Sequence, residues 1–124
     1  MSHPLSLAPV QLQNVNGTDY AKVSIHIDVQ ILSAERVRRK VNGWLAMEVG
    51  DRMIAGEPEL FIGEQLYWRV PLQWTSPIQG VLEAHIAEVL VDATTGELVD
   101  PLNKIVEIQK NVKRAARTLR TAVA

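Results

Sequence analysis

Residues 22–31 carry the sequence feature that most constrains the fold, a strict alternation of polar and apolar side chains. The apolar positions are all β-branched, and a polar residue precedes each of them: Val23, Ile25, Ile27, Val29 and Ile31. Successive side chains of a strand point to opposite faces, and β-branched residues pack well on such a surface. The pattern therefore predicts a half-buried strand over residues 22–31.

A helix is predicted directly after this strand. Ser33 is a suitable N-cap because its hydroxyl can accept a backbone hydrogen bond, and Glu35 lies in the first turn, where the helix dipole favours a negative charge. Apolar residues then recur at spacings of three and four: Val37, Val41, Trp44, Leu45, Val49 and Met53. This spacing predicts an amphipathic helix over residues 34–53, with Gly50 as an alternative end.

Further strands are predicted in the middle of the chain. Residues 56–74 have the pattern of a short strand, a turn at Gly63-Glu64 and a longer strand. One face of the longer strand carries Leu66, Trp68, Val70, Leu72 and Trp74. Pro71 cannot donate a ladder hydrogen bond, so we expect this strand to lie at a sheet edge or to be irregular there. A loop over residues 75–80 leads to another strand over residues 81–92.

The segment VLVDATTGELVDP, residues 89–101, resembles a functional loop but has the composition of a hairpin. A phosphate loop needs several glycines with a helix directly behind them, and a calcium loop needs alternating acidic positions. Neither is present. Asp92 can cap a turn with its side chain, and Gly96 can adopt the positive φ that closes a type I turn with a bulge. The segment therefore predicts a tight turn between two strands.

The last segment predicts an amphipathic basic helix over residues 101–121, with Asp100 as its N-cap and Pro101 at its first position. One stripe is apolar and consists of Ile105, Ile108, Val112, Ala115, Ala116 and Leu119. The nearly opposite face, called the basic face below, consists of Lys110, Lys113, Arg114, Arg117 and Arg120. The helix is thus strongly basic in a chain whose net charge is −1.

These elements predict an α+β fold: an antiparallel sheet of four to five strands in the order β-α-β-β-β-β-α, with two helices packed on one face. The chain of 124 residues is long enough for one hydrophobic core. Residues 1–19 are polar and contain two prolines, so we expect a flexible N-terminal segment. Residues 20–124 then form a single domain that ends in the basic helix.

Composition excludes several classes of protein. The chain has no cysteine, which rules out a disulfide scaffold, thiolate metal sites and cysteine nucleophiles. Its start lacks the basic and apolar regions of a signal peptide, and no stretch approaches the roughly 18 apolar residues of a membrane span. We therefore expect a cytoplasmic protein that does not associate with membranes.

Three motifs of the chain resemble the PepSY-type domain. They are SAE at Ser33-Ala34-Glu35, the aromatic strand YWRVPL, and the hairpin VDATTGEL at residues 91–98. The resemblance covers roughly residues 33–100, and the chain also resembles small uncharacterised bacterial proteins that share a WRVP…VDATTGE layout. PepSY-type domains are small non-catalytic modules that often inhibit or regulate other proteins. The resemblance therefore implies a non-catalytic module, and it assigns no functional residue because the matching positions are structural.

Catalytic and metal chemistry are weakly indicated. His26 and His85, with Asp28 and Glu83, would form a divalent metal site only if their strands were neighbours. Otherwise they are solvated sheet residues, and this reading is favoured. No serine lies in a nucleophile elbow, and the cluster Glu57, Glu59 and Glu64 surrounds turns, where carboxylates normally face water. We therefore expect no enzyme activity, no metal and no cofactor.

The basic face has two interpretations: a solvated helix exterior, which is favoured, or, together with Trp68 and Trp74, a partner-binding region. The leading hypothesis is a non-enzymatic protein-interaction or regulatory module that binds an acidic protein surface. We also expect a homodimer, because strand 22–31 at a sheet edge would pair with its copy. One alternative is a small nucleic-acid-associated regulatory protein that uses the basic helix. The other is a small-ligand or metal-binding domain in the sheet concavity.

Overall fold

The computed structural model describes residues 11–15, 17, 19–50 and 52–123. Within these ranges the chain forms six strands and two helices. In chain order they are β1 (Gln11–Val15), β2 (Tyr20–Ser24), α1 (Ala34–Glu48), β3 (Met53–Ala55), β4 (Glu59–Ile62), β5 (Leu66–Ser76), β6 (Gly80–Asp92) and α2 (Pro101–Val123).

The main sheet has four antiparallel strands around β5. Strand β6 pairs with one edge of β5, whereas β3 and β4 pair with different parts of the other edge. Both helices pack on the sheet, and they share one hydrophobic core with it. The fully buried side chains of this core are Val37, Val41, Leu45, Val70, Leu72, Val89, Val91 and Ile108. The predicted α+β class is confirmed.

Pro71 lies in the middle of the sheet and not at its edge. Strand β3 ends at Ala55 and β4 begins at Glu59, so the neighbouring strand is interrupted opposite this proline. Gly56 lies in the interruption, and its N–H donates to the carbonyl oxygen of Pro71 at 2.7 Å. The missing N–H of Pro71 faces the same interruption, where it costs no ladder hydrogen bond. The expected edge position was wrong, and the expected irregularity is confirmed.

Helix α1 begins as predicted and ends earlier. The Ser33 hydroxyl accepts a hydrogen bond from the N–H of Arg36 at 3.2 Å, as an N-cap does. The helix ends at Glu48, and Gly50 has a φ of 141°, a conformation that glycine tolerates best. Met53 is already the first residue of β3. The predicted end at residue 53 was wrong, and the alternative end at Gly50 is confirmed.

The segment with the clearest alternation does not join the main sheet. Only Tyr20–Ser24 form a strand, and this strand pairs with β1 in a separate two-stranded sheet. Residues 25–33 have no regular secondary structure. The predicted strand over residues 22–31 is therefore wrong for most of its length. The flexible segment expected over residues 1–19 contains strand Gln11–Val15, and its residues 1–10, 16 and 18 lie outside the described ranges.

The predicted turn after β6 is confirmed. Gly96 has a φ of 80° and donates its N–H to the carbonyl oxygen of Asp92 at 2.8 Å. The second strand of the hairpin is reduced to one bridge, in which Leu98 pairs with Val91. Helix α2 then begins at Pro101 as expected. The Asp100 carboxylate, however, accepts from the side-chain amide of Asn103 at 2.9 and 3.0 Å, and Asp100 has a φ of 52°. The N-cap prediction requires the Asp100 side chain to accept a hydrogen bond from a backbone N–H. Among the described residues it accepts no such bond.

We expect Gly96→Ala to lower the free energy of unfolding by about 2 kcal/mol, because a β-carbon is disfavoured at positive φ. That β-carbon would also lie 2.8 Å from Leu32 Cδ1 and 3.0 Å from Lys40 Nζ. Urea unfolding followed by circular dichroism measures the change. The matched control is Gly43→Ala, since Gly43 is in α1 and its β-carbon would meet no atom within 4 Å. This control should raise stability by up to about 1 kcal/mol. Equal stabilities of the two variants would contradict the prediction.

Candidate functional site

The basic face lies on the side of α2 that points away from the core. Ile108 is fully buried, and most of the rest of the predicted apolar stripe is half-buried against the sheet. Every residue of the basic face is exposed. At 3.6 residues per turn the five cations occupy an arc of about 120°. Among the described residues, none of them forms a salt bridge, so their charge is not neutralised within the chain.

Asn111 holds α2 against β6. Its side-chain amide donates to the carbonyl oxygen of Ile86 at 2.9 Å, where the pairing of β6 with β5 is irregular. Its side-chain oxygen accepts from Arg114 at 2.6 Å, so the same residue also positions one cation of the basic face. This role of Asn111 was not predicted from the sequence. A polar residue between the apolar stripe and the basic face is the signal that could have indicated it.

An apolar groove with a basic rim lies on one side of α2. This α1–α2 groove has a volume of about 650 Å³ and runs between the end of α1, β3 and α2. Its apolar lining consists of Val49, Met53, Trp74, Ile108 and Val112. Arg52 and Lys113 also line it, and both are exposed. An acidic ligand with an apolar side chain is the chemistry that such a groove fits.

A second groove lies on the other side of α2. This α2–β6 groove has a volume of about 440 Å³, and its polar lining residues include Glu83, His85 and Arg114. His85 Nε2 lies 3.4 Å from a carboxylate oxygen of Glu88. The groove therefore carries charges of both signs, whereas the charged residues described in the lining of the α1–α2 groove are basic.

The two predicted binding tryptophans occupy different environments. Trp74 is only 9% exposed and contributes to the lining of both grooves, so it lies beneath α2. Trp68 is half-buried, and its indole N–H donates to the carbonyl oxygen of Leu32 at 2.9 Å. Trp68 thus fixes the residues that precede α1. Of the two, Trp74 lies under α2 on the core side of the helix, whereas Trp68 is not among the lining residues of either groove.

Asp92 uses both carboxylate oxygens inside the fold. Asp92 is buried, with an exposed fraction of 6%. Oδ1 accepts from the N–H groups of Thr94 at 2.8 Å and Thr95 at 3.0 Å, and Oδ2 accepts from the amide of Gln65 at 2.6 Å. A carboxylate with these partners stabilises a turn. The arrangement agrees with the interpretation of this motif as a hairpin turn.

The histidines and the glutamate cluster do not come together. His26 lies in the irregular segment after β2, which pairs only with β1, so the strand neighbour that the metal hypothesis needed is not formed. The described residues contain no group of three or more histidine, aspartate or glutamate side chains suited to a metal ion. Glu57 and Glu59 pair instead with Arg38 at 3.5 Å and Arg69 at 2.8 Å.

The sheet face opposite the helices carries its own ion pairs. Arg69 contacts Glu59 at 2.8 Å and Glu88 at 3.9 Å, and its guanidinium lies 5.7 Å from the centre of the Phe61 ring. The hydrogen bond to Glu59 and the charges of Glu59 and Glu88 raise the pKa of Arg69 above its usual value. Phe61 also stacks on Tyr67, with ring centres 5.6 Å apart. The cations of this face are thus paired, in contrast to those of the basic face.

Within the ranges that the structure describes, neither helix combines the length and apolar character needed to cross a bilayer. No family model, curated protein or solved structure matches this chain. The basic face and the α1–α2 groove are therefore the features from which a function can be inferred.

Proposed function

We propose that the chain is a non-enzymatic protein-interaction module that binds an acidic segment of a partner protein through the basic face and the α1–α2 groove. The observation that carries this proposal is the position of five exposed cations, which form no salt bridge among the described residues, beside an apolar groove whose described rim residues are also basic. Acidic side chains of a partner would approach the cations, and one apolar side chain would enter the groove over Trp74. Such a module would regulate the protein that it binds.

The same proposal includes a family likeness, a cellular compartment and an oligomeric state. The SAE, YWRVPL and VDATTGEL motifs support a PepSY-like module, and the lack of cysteine fits a reducing compartment such as the cytoplasm. The chain would act as a homodimer. These statements are independent of the basic face and are tested separately from it.

A synthetic peptide in which pairs of glutamates alternate with leucine and phenylalanine is a direct probe of the proposed site. We expect it to bind more tightly than a polyglutamate peptide of equal charge, because only the first can place an apolar side chain in the groove. Fluorescence anisotropy of the labelled peptides measures both affinities at physiological salt. Equal affinity of the two peptides would mean that the groove takes no part.

The double charge reversal Lys113→Glu with Arg114→Glu should weaken binding of the mixed peptide about tenfold. Each exposed ion pair contributes roughly 0.2–1 kcal/mol, and reversal replaces attraction with repulsion. The matched control is the double reversal Arg36→Glu with Arg39→Glu, since both residues are exposed cations on α1. The control variant should bind within about twofold of the wild type. An equal loss in both double variants would indicate a non-specific effect of net charge.

Nucleic-acid binding is the second candidate, and the unpaired cations of the basic face favour it as well. A labelled DNA duplex added to the same assay separates the two functions. Nucleic acid would replace the proposed partner if the duplex binds more tightly than the mixed peptide, if its binding falls steeply with salt, and if the α2 double variant loses that binding. Weak duplex binding, unchanged by these substitutions, would support the protein partner.

A further inference from the structure

The N-terminal arm, residues 20–31, has the pattern of a strand but does not join the main sheet. Val23, Ile25 and Val29 are 54%, 62% and 47% exposed. The polar positions between them are exposed as well, whereas Ile27 and Ile31 are half-buried. In an extended strand, the odd-numbered side chains of the arm would share one apolar face. The arm exposes several β-branched side chains to water, and this exposure contributes nothing to the stability of an isolated chain.

The backbone of the arm is also open to pairing. Strand β2 pairs with β1 on one edge, and in the described residues its other edge pairs with no strand. From residue 25 to residue 32, the described chain has one backbone–backbone hydrogen bond to another segment, from Leu32 N to Ala93 O at 2.8 Å, and the Trp68 indole N–H also donates to the Leu32 carbonyl oxygen. These bonds fix where the arm leaves the domain. A strand edge with unpaired N–H and C=O groups is a site for another strand.

We propose that the arm pairs antiparallel with the arm of a second copy, in the register that places Ile25 opposite Ile25. The sequence around Ile25 is complementary to itself in this register. Val23 lies opposite Ile27 of the second copy, and Lys22 lies opposite Asp28, so apolar residues meet apolar residues and opposite charges meet. The pairing would extend β2 through the rest of the arm and join the two small sheets in the order β1-arm-arm-β1.

Several registers would keep the apolar residues on one face, and the charges of Lys22 and Asp28 select this one among them. A shift of the centre to Ser24 would place Lys22 opposite His26, and a shift to Ile27 would place Lys22 opposite Leu32. Both shifts separate Lys22 from Asp28. In the described residues Lys22 and Asp28 are exposed and form no salt bridge within the chain. Self-complementary charge therefore points to a second copy and not to a different partner.

Charge reversal with rescue tests this interface. We expect the wild type to sediment as a dimer at micromolar concentration. Lys22→Asp or Asp28→Lys should each raise the dimer Kd about tenfold, because each substitution affects two symmetric pairs. The double variant Lys22→Asp with Asp28→Lys should return to within about threefold of the wild type, since it restores both pairs. The control Arg39→Asp changes the same charge on α1 and should leave the Kd unchanged.

Because the chain has no cysteine, a single introduced thiol reports the register. Directly opposite residues have Cα atoms about 4.5–5.5 Å apart, within the range of a disulfide. Ile25→Cys should therefore form a disulfide-linked dimer under mild oxidation. Ser24→Cys should not, because the register places Ser24 opposite His26 and the two thiols lie too far apart.

Several outcomes would overturn the inference. They are a monomeric wild type at these concentrations, reversals that leave the Kd unchanged, a double variant as weak as the single ones, and equal cross-linking at both thiol positions. The inference deepens the homodimer part of the proposed function. Binding of the acidic peptide to the basic face is measured independently, so a monomer that still binds the peptide would remove only the dimer.

Discussion

Asp92→Ala is expected to lower the free energy of unfolding by about 3 kcal/mol. The carboxylate accepts hydrogen bonds from the N–H groups of Thr94 and Thr95 and from the Gln65 amide. Alanine would leave these donors without their partner in a region where Asp92 itself is 6% exposed. Hydrogen bonds to a charged group contribute about 1.5–3 kcal/mol each, and water near the turn recovers part of the loss.

Urea unfolding of Asp92→Ala and Asp92→Asn measures this contribution. Asparagine keeps one oxygen for the two backbone donors, and its amide can pair with Gln65 after that side chain rotates. We expect Asp92→Asn to lose about 1 kcal/mol. If both variants unfold like the wild type, Asp92 does not hold the turn, and the assignment of this motif to architecture is wrong.

Trp74→Ala is expected to lower the free energy of unfolding by about 3–5 kcal/mol, the usual range for removal of a buried aromatic side chain. Trp74 belongs to the core and lines both grooves beside α2. Its removal would join the two grooves beneath the helix. We therefore expect the apolar stripe of α2 to lose much of its support, and the α2–sheet contact to weaken first.

Trp74→Phe is the matched substitution because it keeps an aromatic ring under α2. It should cost no more than about 2 kcal/mol. Hydrogen exchange of the α2 amides adds a local measurement, and in Trp74→Ala these amides should exchange faster than those of α1. A uniform increase in exchange over both helices would show that Trp74 supports the whole core and not α2 in particular.

The local elements that the sequence predicted correctly have short-range causes. Ser33 caps α1 with its own hydroxyl, Gly96 closes the turn that Asp92 begins, and Pro101 starts α2. Each depends on contacts within a few residues, so the residue types are sufficient to predict them. The alternating burial of β5 is confirmed for the same reason, because it follows from the two faces of a strand.

The predictions that were wrong or missing concern which strands and helices contact one another. Pro71 indicated an edge strand, yet β5 is central because its neighbour is interrupted beside the proline. Nothing near Pro71 in the sequence encodes that interruption. The metal alternative for His26 and His85, which was not favoured, needed their two strands to be neighbours, and in the described residues these strands do not pair. Asn111 was missed as the residue that holds α2 to β6, because its partner is 25 positions away in the chain.

The candidate site likewise has one part that was predictable from the sequence and one part that was not. The basic face was predictable, because its residues repeat with the period of one helix. The α1–α2 groove was not, because it is formed by the end of α1, β3, β5 and α2, whose distances depend on packing. The position of Trp74 beneath α2 likewise follows from how the helix lies on the sheet.

By itself, the sequence determined the class of the fold, the Ser33 cap of α1, the turn from Asp92 to Gly96, and the two faces of α2. It also determined that residues 22–31 have a strand pattern, because side-chain alternation is a local property. Only the tertiary structure decided the order of strands in the sheet, the grooves beside α2 and the exclusion of the arm from the main sheet. These depend on contacts between residues far apart in the chain, where the gain from burial must exceed the entropy lost in bringing the segments together.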